Sequence, residues 1–362
     1  METIWRQLPV TLFILLLTSC TYERPTLLTA EPVALTTPVY SKARLGIDSV
    51  EDVTELAIFQ AHGAGPVVAL AFTPDGQQLL AVSAGDGMLR RWQLSDGDLK
   101  ASWEVSTVAA PLVNFDSNAH LLATSSGKEP EVRLWNTETG KLLFELSMYT
   151  EPLSVLALSP VGNWLFGGLP GGFVFVDTET GRAPDGGSLR FDSQASVPTA
   201  AVFDPAGEWV VTGYASGRIC ASVWDEDRGL FDLCKFKWSY KQPKDSLSKV
   251  PLALAIDPIR RWLASIVGDT LQVWDLASYP LPSRKTYEGI GISQVGSLAF
   301  SPDGKLLVVG TGEGWQIWSV PEFNRISQES SSAVYAVTFS PDGRILAWGD
   351  ENGKVHIWGV QE

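Results

Sequence analysis

The stretch "FSPDGRILAWGDENGKVHIWGVQE", Phe339 to Glu362, decides the fold. Three short β-type runs can be read around "SPDG" and "ENG", yet only four residues follow Trp358. A last strand with a bare outer edge would remain, and such an edge invites pairing with other chains. The passage recurs upstream: "AFTPDGQQLLAVSAGDGMLRRW" ends at Trp92, "NFDSNAHLLATSSGKEPEVRLW" at Trp135 and "ALSPVGNWLFGGLPGGFVFV" at Val176. "VFDPAGEWVVTGYASGRICASVW" ends at Trp224, "AIDPIRRWLASIVGDTLQVW" at Trp274, "AFSPDGKLLVVGTGEGWQIW" at Trp318, and the closing copy at Trp358. The seven anchors lie 43, 41, 48, 50, 44 and 40 residues apart, six of them Trp and one Val. That period accommodates four short strands and their turns.

Each copy has the chemistry of an antiparallel meander. Ser301, Pro302, Asp303 and Gly304 fit a type I turn, with a short polar side chain first, Pro pre-setting φ second and Gly fourth. Thr73 to Gly76 and Ser340 to Gly343 repeat it, while Asp204 to Gly207 and Ser159 to Gly162 keep its Pro and Gly. Small residues precede the turn: Ala71, Ala157, Ala255 and Ala299 just before the position of the aromatic, and Ala69, Ala200, Ala253, Ser297 and Ala336 three before it. They suit an innermost strand where several sheets converge. The runs after the turn, such as "LLAVS" and "LLVVG", are too brief for helices.

This array resembles the WD-repeat (Trp-Asp) β-propeller family over roughly residues 54 to 362. The Trp-Asp pair itself stands only at Trp224-Asp225 and Trp274-Asp275. The family's buried polar tetrad carries over only to the first blade, as His62, Asp86 and Trp92, with Ser83 as a fourth member; the other blades are expected to rely on apolar stacking. The resemblance also implies a repeat out of phase with the blade and a ring closed by the two chain ends. One apolar run, "VTELAIFQAH" from Val53 to His62, precedes the first "TPDG". Placed outside the strand ending at Trp358, it covers the bare edge. The expected fold is all-β, a seven-bladed β-propeller with four antiparallel strands per blade, whose last blade is completed by an N-terminal strand.

Composition agrees: 14 Trp, 33 Gly and 22 Pro in 362 residues make an aromatic, turn-rich chain. Its 27 Lys+Arg against 41 Asp+Glu give a net charge of -14 with no basic face, which argues against nucleic acid as a partner. At the N-terminus the apolar run Leu8 to Leu17 is shorter than the roughly 20 residues of a membrane span but suits a signal-peptide core. Leu17, Thr18, Ser19 and Cys20 resemble the bacterial lipobox, whose Cys is lipidated and becomes the first mature residue. Three regions are therefore expected: a signal peptide over 1–19, a lipid-anchored Pro/Thr-rich tether over 20–52 and the propeller over 53–362. The implied location is the bacterial cell envelope, held to the membrane through a lipid on Cys20. Thr21 in place of an inner-membrane-retaining Asp points to the outer membrane if the organism has one.

Cys220 and Cys234 flank "WDEDRGL". A hairpin centred on Asp227 would set them face to face, within bridging distance, whereas one bulge would put them on different faces. Just beyond, "CKFKWSYKQPKDSLSK" alternates aromatic and basic residues. Its lysines protect an outermost edge on one reading; on the other, Lys237, Lys241 and Lys244 offer a positive patch to an acidic partner or anionic lipid.

The three histidines, His62, His120 and His356, are far apart in sequence and in no metal-ligand spacing; no phosphate loop or Gly-x-Ser-x-Gly elbow is present. No catalytic residue, metal or cofactor is therefore expected. The leading expectation is a non-enzymatic, monomeric propeller that serves as an interaction platform for an envelope protein or peptide. The alternative is a propeller hydrolase or lyase with carboxylates converging at the channel mouth, which needs no linear motif.

Overall fold

The computed structural model describes residues 43–61, 65–105, 112–126, 131–147, 151–170, 172–183, 196–225, 230–239, 251–278, 284–288, 290 and 296–360. Side chains are described for all of these except 224–225, 230–239, 251–252 and 278. All belong to one compact unit, Pro32–Glu362.

Strand β1 (Val53–Gln60) stands alone at the start. Blade 1 follows as β2 (Val67–Phe72), β3 (Gln78–Ser83), β4 (Met88–Gln93) and β5 (Leu99–Glu104). Blade 2 is β6 (Leu112–Phe115), β7 (Leu121–Ser125), β8 (Glu131–Asn136) and β9 (Leu142–Ser147). Blade 3 has three described strands, β10 (Val155–Leu158), β11 (Trp164–Leu169) and β12 (Gly172–Asp177); residues 184–195, after β12, lie outside the described residues. Blade 4 is β13 (Pro198–Phe203), β14 (Trp209–Tyr214), β15 (Arg218–Asp225) and β16 (Leu230–Ser239). Blade 5 is β17 (Pro251–Ile256), β18 (Trp262–Val267), β19 (Thr270–Asp275) and β20 (Arg284–Glu288). Blade 6 is β21 (Ser297–Phe300), β22 (Leu306–Thr311), β23 (Gly314–Ser319) and β24 (Arg325–Ser330). Blade 7 has only three consecutive strands, β25 (Val334–Phe339), β26 (Ile345–Asp350) and β27 (Lys354–Val360).

The fourth strand of blade 7 is β1. The sheet order is β1-β27-β26-β25, and antiparallel pairing runs from Val53 opposite Val360 to Gln60 opposite Lys354, with one bulge between Glu55 and Ala57. The edge left by the C-terminal strand is thus covered by the N-terminal one, as the sequence requires, and the seven sheets form a propeller.

A single device sets each hairpin between the first and second strands of a blade. The side-chain oxygen of the first turn residue accepts the amide five residues on, at 2.6–3.0 Å, in all seven blades. The pairs are Thr73 with Gln78, Asp116 with Leu121, Ser159 with Trp164, Asp204 with Trp209, Asp257 with Trp262, Ser301 with Leu306 and Ser340 with Ile345. Backbone N–H groups of the same first residues donate back to the same partners, so two bonds fix the register before the strands begin. The fourth turn position has positive φ, for example 68° at Gly304, but blades 2 and 5 place Ala119 (53°) and Arg260 (61°) there. A side chain in that region costs roughly 1–2 kcal/mol.

Core clusters lie between blades. One joins Ala57, Phe59 and Ile357 of blade 7 to Phe72, Leu79 and Trp92 of blade 1; another joins Trp262 and Ile266 of blade 5 to Leu307 and Trp318 of blade 6. Trp92, Trp135, Trp274, Trp318 and Trp358 therefore pack on the blade before them, as where Trp92 stacks on Phe59 with ring centroids 5.6 Å apart. Burying about 200 Å² of indole at about 25 cal/mol per Å² contributes roughly 5 kcal/mol before entropy is counted. Close approach of neighbouring blades also demands a missing side chain: a Cβ on Gly349 would sit 2.5 Å from Val67 Cβ.

The body of the propeller starts before Val53. Leu45 N–H donates to Gly343 O and Arg44 Nε to Asp342 O, both at 2.9 Å. Leu45 and Val50 are buried with Leu306, Trp315 and Trp348. Residues 44–52, at the end of the stretch read as tether, are thus docked on blades 6 and 7 because two aliphatic side chains find a groove there.

Candidate functional site

The seven innermost strands, β2, β6, β10, β13, β17, β21 and β25, surround a central cavity of about 670 Å³. Its wall includes Ala69, Ala200, Ala253, Ser297 and Ala336, the small residues picked out by their position before the turn. At these positions small side chains leave room where seven sheets meet, while larger residues such as Leu70 and Tyr335 line the same cavity. Among the described lining residues the carboxylate is Asp116, whose Oδ1 accepts the Leu121 amide in the turn. Burial raises its pKa above the usual carboxylate range, against the pull of the backbone amides of Leu121 and His120. Asp116 thus serves a turn, and the other six turns meet the same need with Thr73, Ser159, Asp204, Asp257, Ser301 and Ser340.

These turns touch one another around one face. Ser117 Oγ donates to Pro160 O at 2.7 Å, linking blade 2 to blade 3. Arg260 Nε pairs with Asp204 Oδ2 at 2.8 Å and its Nη2 with Glu208 Oε2 at 2.7 Å, tying blade 5 to blade 4, and its guanidinium lies over the Trp209 ring. On blade 6, Gly304 occupies the position equivalent to Arg260. A Cβ there would lie 3.7 Å from Asp257 Oδ2, an atom buried without a hydrogen-bond partner. Burial raises the pKa of Asp257 accordingly, opposed by the amides of Trp262, Arg261 and Ile259.

The closure seam carries a polar cluster that sequence reading missed. His356 of β27 has Nδ1 2.5 Å from Glu55 Oε1 on β1 and Nε2 3.6 Å from Asp350 Oδ2 on β26. Its ring stacks on Trp348 at 3.8 Å between centroids. For Asp350, burial raises the pKa, but the His356 contact and the Lys354 and Asn352 amides outweigh it and hold the carboxyl below its ordinary range.

The residues expected to matter are placed as follows. Cys20, His62, Lys241 and Lys244 lie outside the described residues; Lys237 and Cys234 lie on β16, and Trp224 on β15, with undescribed side chains. Asp86 pairs with Arg90, at 2.5 Å, and accepts the Met88 amide, while Trp92 stacks on Phe59; the expected tetrad lies partly outside the described residues, with His62. A Trp-to-hydroxyl bond appears in blade 2 instead, where Trp135 Nε1 donates to Thr124 Oγ1 at 2.9 Å. Trp274 is buried, as is Trp318; the indole N–H groups of Trp318 and Trp358 have no partner, which fits blades held by apolar packing.

The face-to-face position of Cys220 and Cys234 is corrected. Cys220 lies opposite Lys237, because the pairing jumps from Ala221 opposite Phe236 to Val223 opposite Asp232. The bulge that would break the register is there. Cys220 is nonetheless disulfide-bonded and fully buried.

Comparison with known proteins bears on this geometry. Residues 53–93, 283–319 and 323–359 match the family model "WD domain, G-beta repeat". Three segments of the chain are thus similar to WD repeats. Each matched WD repeat begins with the outermost strand of one blade and ends with the third strand of the next, so the repeat interlocks neighbouring blades. Among curated proteins, the human "WD repeat and HMG-box DNA-binding protein 1" is 31% identical over 139 residues, covering 36% of this chain and 12% of that protein. The mouse protein of the same name is 32% identical over 136 residues, 35% of this chain and 12% of its own length. The matched part spans about an eighth of the length of these relatives.

Proposed function

We propose that this WD-repeat propeller is a lipid-anchored, non-enzymatic interaction platform of a bacterial envelope, presenting its loops and channel mouth to a protein or peptide partner. The observation that carries the reading is the closed ring. Its inner wall is lined largely by apolar residues, with small side chains at Ala69, Ala200, Ala253, Ser297 and Ala336, and its described channel carboxylate is engaged in a turn, so the fold offers a rigid rim rather than a convergent catalytic set. The anchor rests on sequence: an apolar run followed by Leu17, Thr18, Ser19 and Cys20.

Within this reading Cys234, on the strand next to Cys220, is the partner in its disulfide, since Cys20 is the lipid-bearing residue. Lys237, Lys241 and Lys244 form the patch that meets an acidic partner, because from Lys235 to Lys249 there are five lysines and one acid, Asp245.

Pull-down of the tagged protein from crosslinked envelopes tests the platform. A partner whose recovery falls when Lys237, Lys241 and Lys244 become Gln, with unchanged melting, supports the patch. Mass spectrometry should find diacylglycerol on Cys20, and Cys20→Ser should release the protein from the membrane fraction. An uncleaved, unmodified N-terminus contradicts the anchor.

A further inference from the structure

The ring of turns between first and second strands is chemically divided at its third position. Blades 6, 7 and 1 carry Asp303, Asp342 and Asp75 there, each accepting the hydroxyl of its own turn's first residue at 2.6–2.7 Å. Blades 3, 4 and 5 carry Val161, Ala206 and Ile259. Val161 is 62% exposed and Ile259 72%, the two most exposed large aliphatic residues described. Nothing in the turn requires them to be apolar, since the second strand is started by Ser159 or by Asp257. Behind the tips stand Trp164, Trp209 and Trp262, and beside Ile259 lie Arg260 and Arg261, the latter half exposed with its guanidinium 5.2 Å from the Trp262 ring.

The same face receives the N-terminal segment. Arg44 and Leu45 bond to Asp342 and Gly343, which belong to the blade 7 turn of this ring. If Cys20 carries the lipid, 43 − 20 = 23 residues separate it from the docked Arg44. Even fully extended, at about 3.5 Å each, they hold this face within about 80 Å of the bilayer. Local concentration at the surface is then high, and a weak contact suffices to orient the disc.

We propose that this face is the one turned to the membrane, with the turn tips of blades 3, 4 and 5 entering the headgroup region; the proposal rests on the lipid-anchored reading above. Two aliphatic tips that project from separate turns match a soft, deformable surface better than a shaped protein pocket. Arg260 is held by Asp204 and Glu208 and Arg261 lies 3.5 Å from Asp275, so the apolar tips rather than free charge make the contact, while the acidic turns of blades 6, 7 and 1 tilt the opposite rim away from anionic headgroups. The opposite face, with its longer connections between blades, is left free for the partner.

The test uses the full chain, with Ile259→Cys or Asp303→Cys labelled by a polarity-sensitive fluorophore and the unsubstituted chain labelled as a blank. Each is mixed with vesicles of phosphatidylcholine and phosphatidylglycerol and floated. The expected result is a blue shift and loss of iodide quenching for the probe at 259 and neither for the probe at 303. Flotation with both probes unchanged overturns the orientation while leaving the anchor standing, and assigns the apolar arc to a protein partner. Failure to float removes the anchor and the orientation together.

Discussion

Blades 6, 7 and 1, whose first three strands the WD-repeat family model matches, and blades 3, 4 and 5, whose first three strands it does not, build the same hairpin from different side chains. In the first group a hydroxyl starts the second strand and an Asp two residues on accepts from that hydroxyl, as with Ser301 and Asp303. In blades 4 and 5 the first residue is itself an Asp, and its carboxylate takes the strand amide directly. One charged group has moved along the turn. The consequence is double: the third position is released for Ala206 or Ile259, and a buried carboxylate now needs a counter-charge. Asp204 has one in Arg260. Asp257 faces Gly304 and is left with an unpartnered oxygen. Divergent repeats thus keep the fold while changing what the face displays.

The largest effect that would break this comparison belongs to the seam between matched blades. Gly349→Ala should cost about 3 kcal/mol, because its Cβ would meet Val67 Cβ at 2.5 Å and Val67 O at 3.1 Å, neither of which can rotate away. Chemical denaturation measures it, and a variant as stable as the parent would mean that blades 7 and 1 are less tightly apposed.

Next come the two buried aspartates. Asp204→Asn should destabilise by about 2 kcal/mol through loss of the charge-assisted bonds to Arg260. Asp257→Asn keeps an oxygen for the Arg261 and Trp262 amides and removes an unpaired charge, so it should be neutral or stabilising at pH 7. Equal losses in both would erase the distinction. The pH dependence has a definite sign. Asp257 has a raised folded pKa, so its destabilisation develops as pH rises through that pKa. Asp350 has a lowered one, so its contribution is present above the unfolded value and lost as pH falls through the folded value. Asp350→Asn should therefore flatten the acid limb of stability against pH, while Asp257→Asn should gain relative to the parent as pH increases.

The smallest loss is expected for Gly304→Ala. Its Cβ would meet atoms no closer than 3.7 Å, so only the left-handed backbone, φ 68°, is penalised, at about 1 kcal/mol. Thermal melting would sharpen the comparison with Gly349, where space rather than backbone decides.

Much of this was legible in the sequence because it is local. The Ser-Pro-Asp-Gly turns, the small residues at Ala69, Ala200, Ala253, Ser297 and Ala336, and the Trp anchors each repeat at one period and report a single environment. The pairing of β1 with β27 was legible for a different reason: a bare edge has to be covered. What escaped depends on contacts without a period. Glu55 and His356 are 301 residues apart, so nothing local links them. The docking of Leu45 is set by a groove between blades. The Cys220 register stayed open between a straight and a bulged hairpin because the bulge between Ala221 and Val223 leaves no trace in residue type. Arg260 was hidden by its backbone, since a non-glycine at φ 61° breaks the turn pattern that revealed its neighbours.

The central claim is that the chain ends close the ring. Hydrogen exchange of the full chain, resolved to β27, tests it most directly. If β1 covers that strand, the amides of Lys354–Val360 that face β1 should be protected to the level of the inner strand β26. Exchange of those amides at the rate of an exposed sheet edge would contradict the closure and with it the seven-bladed ring.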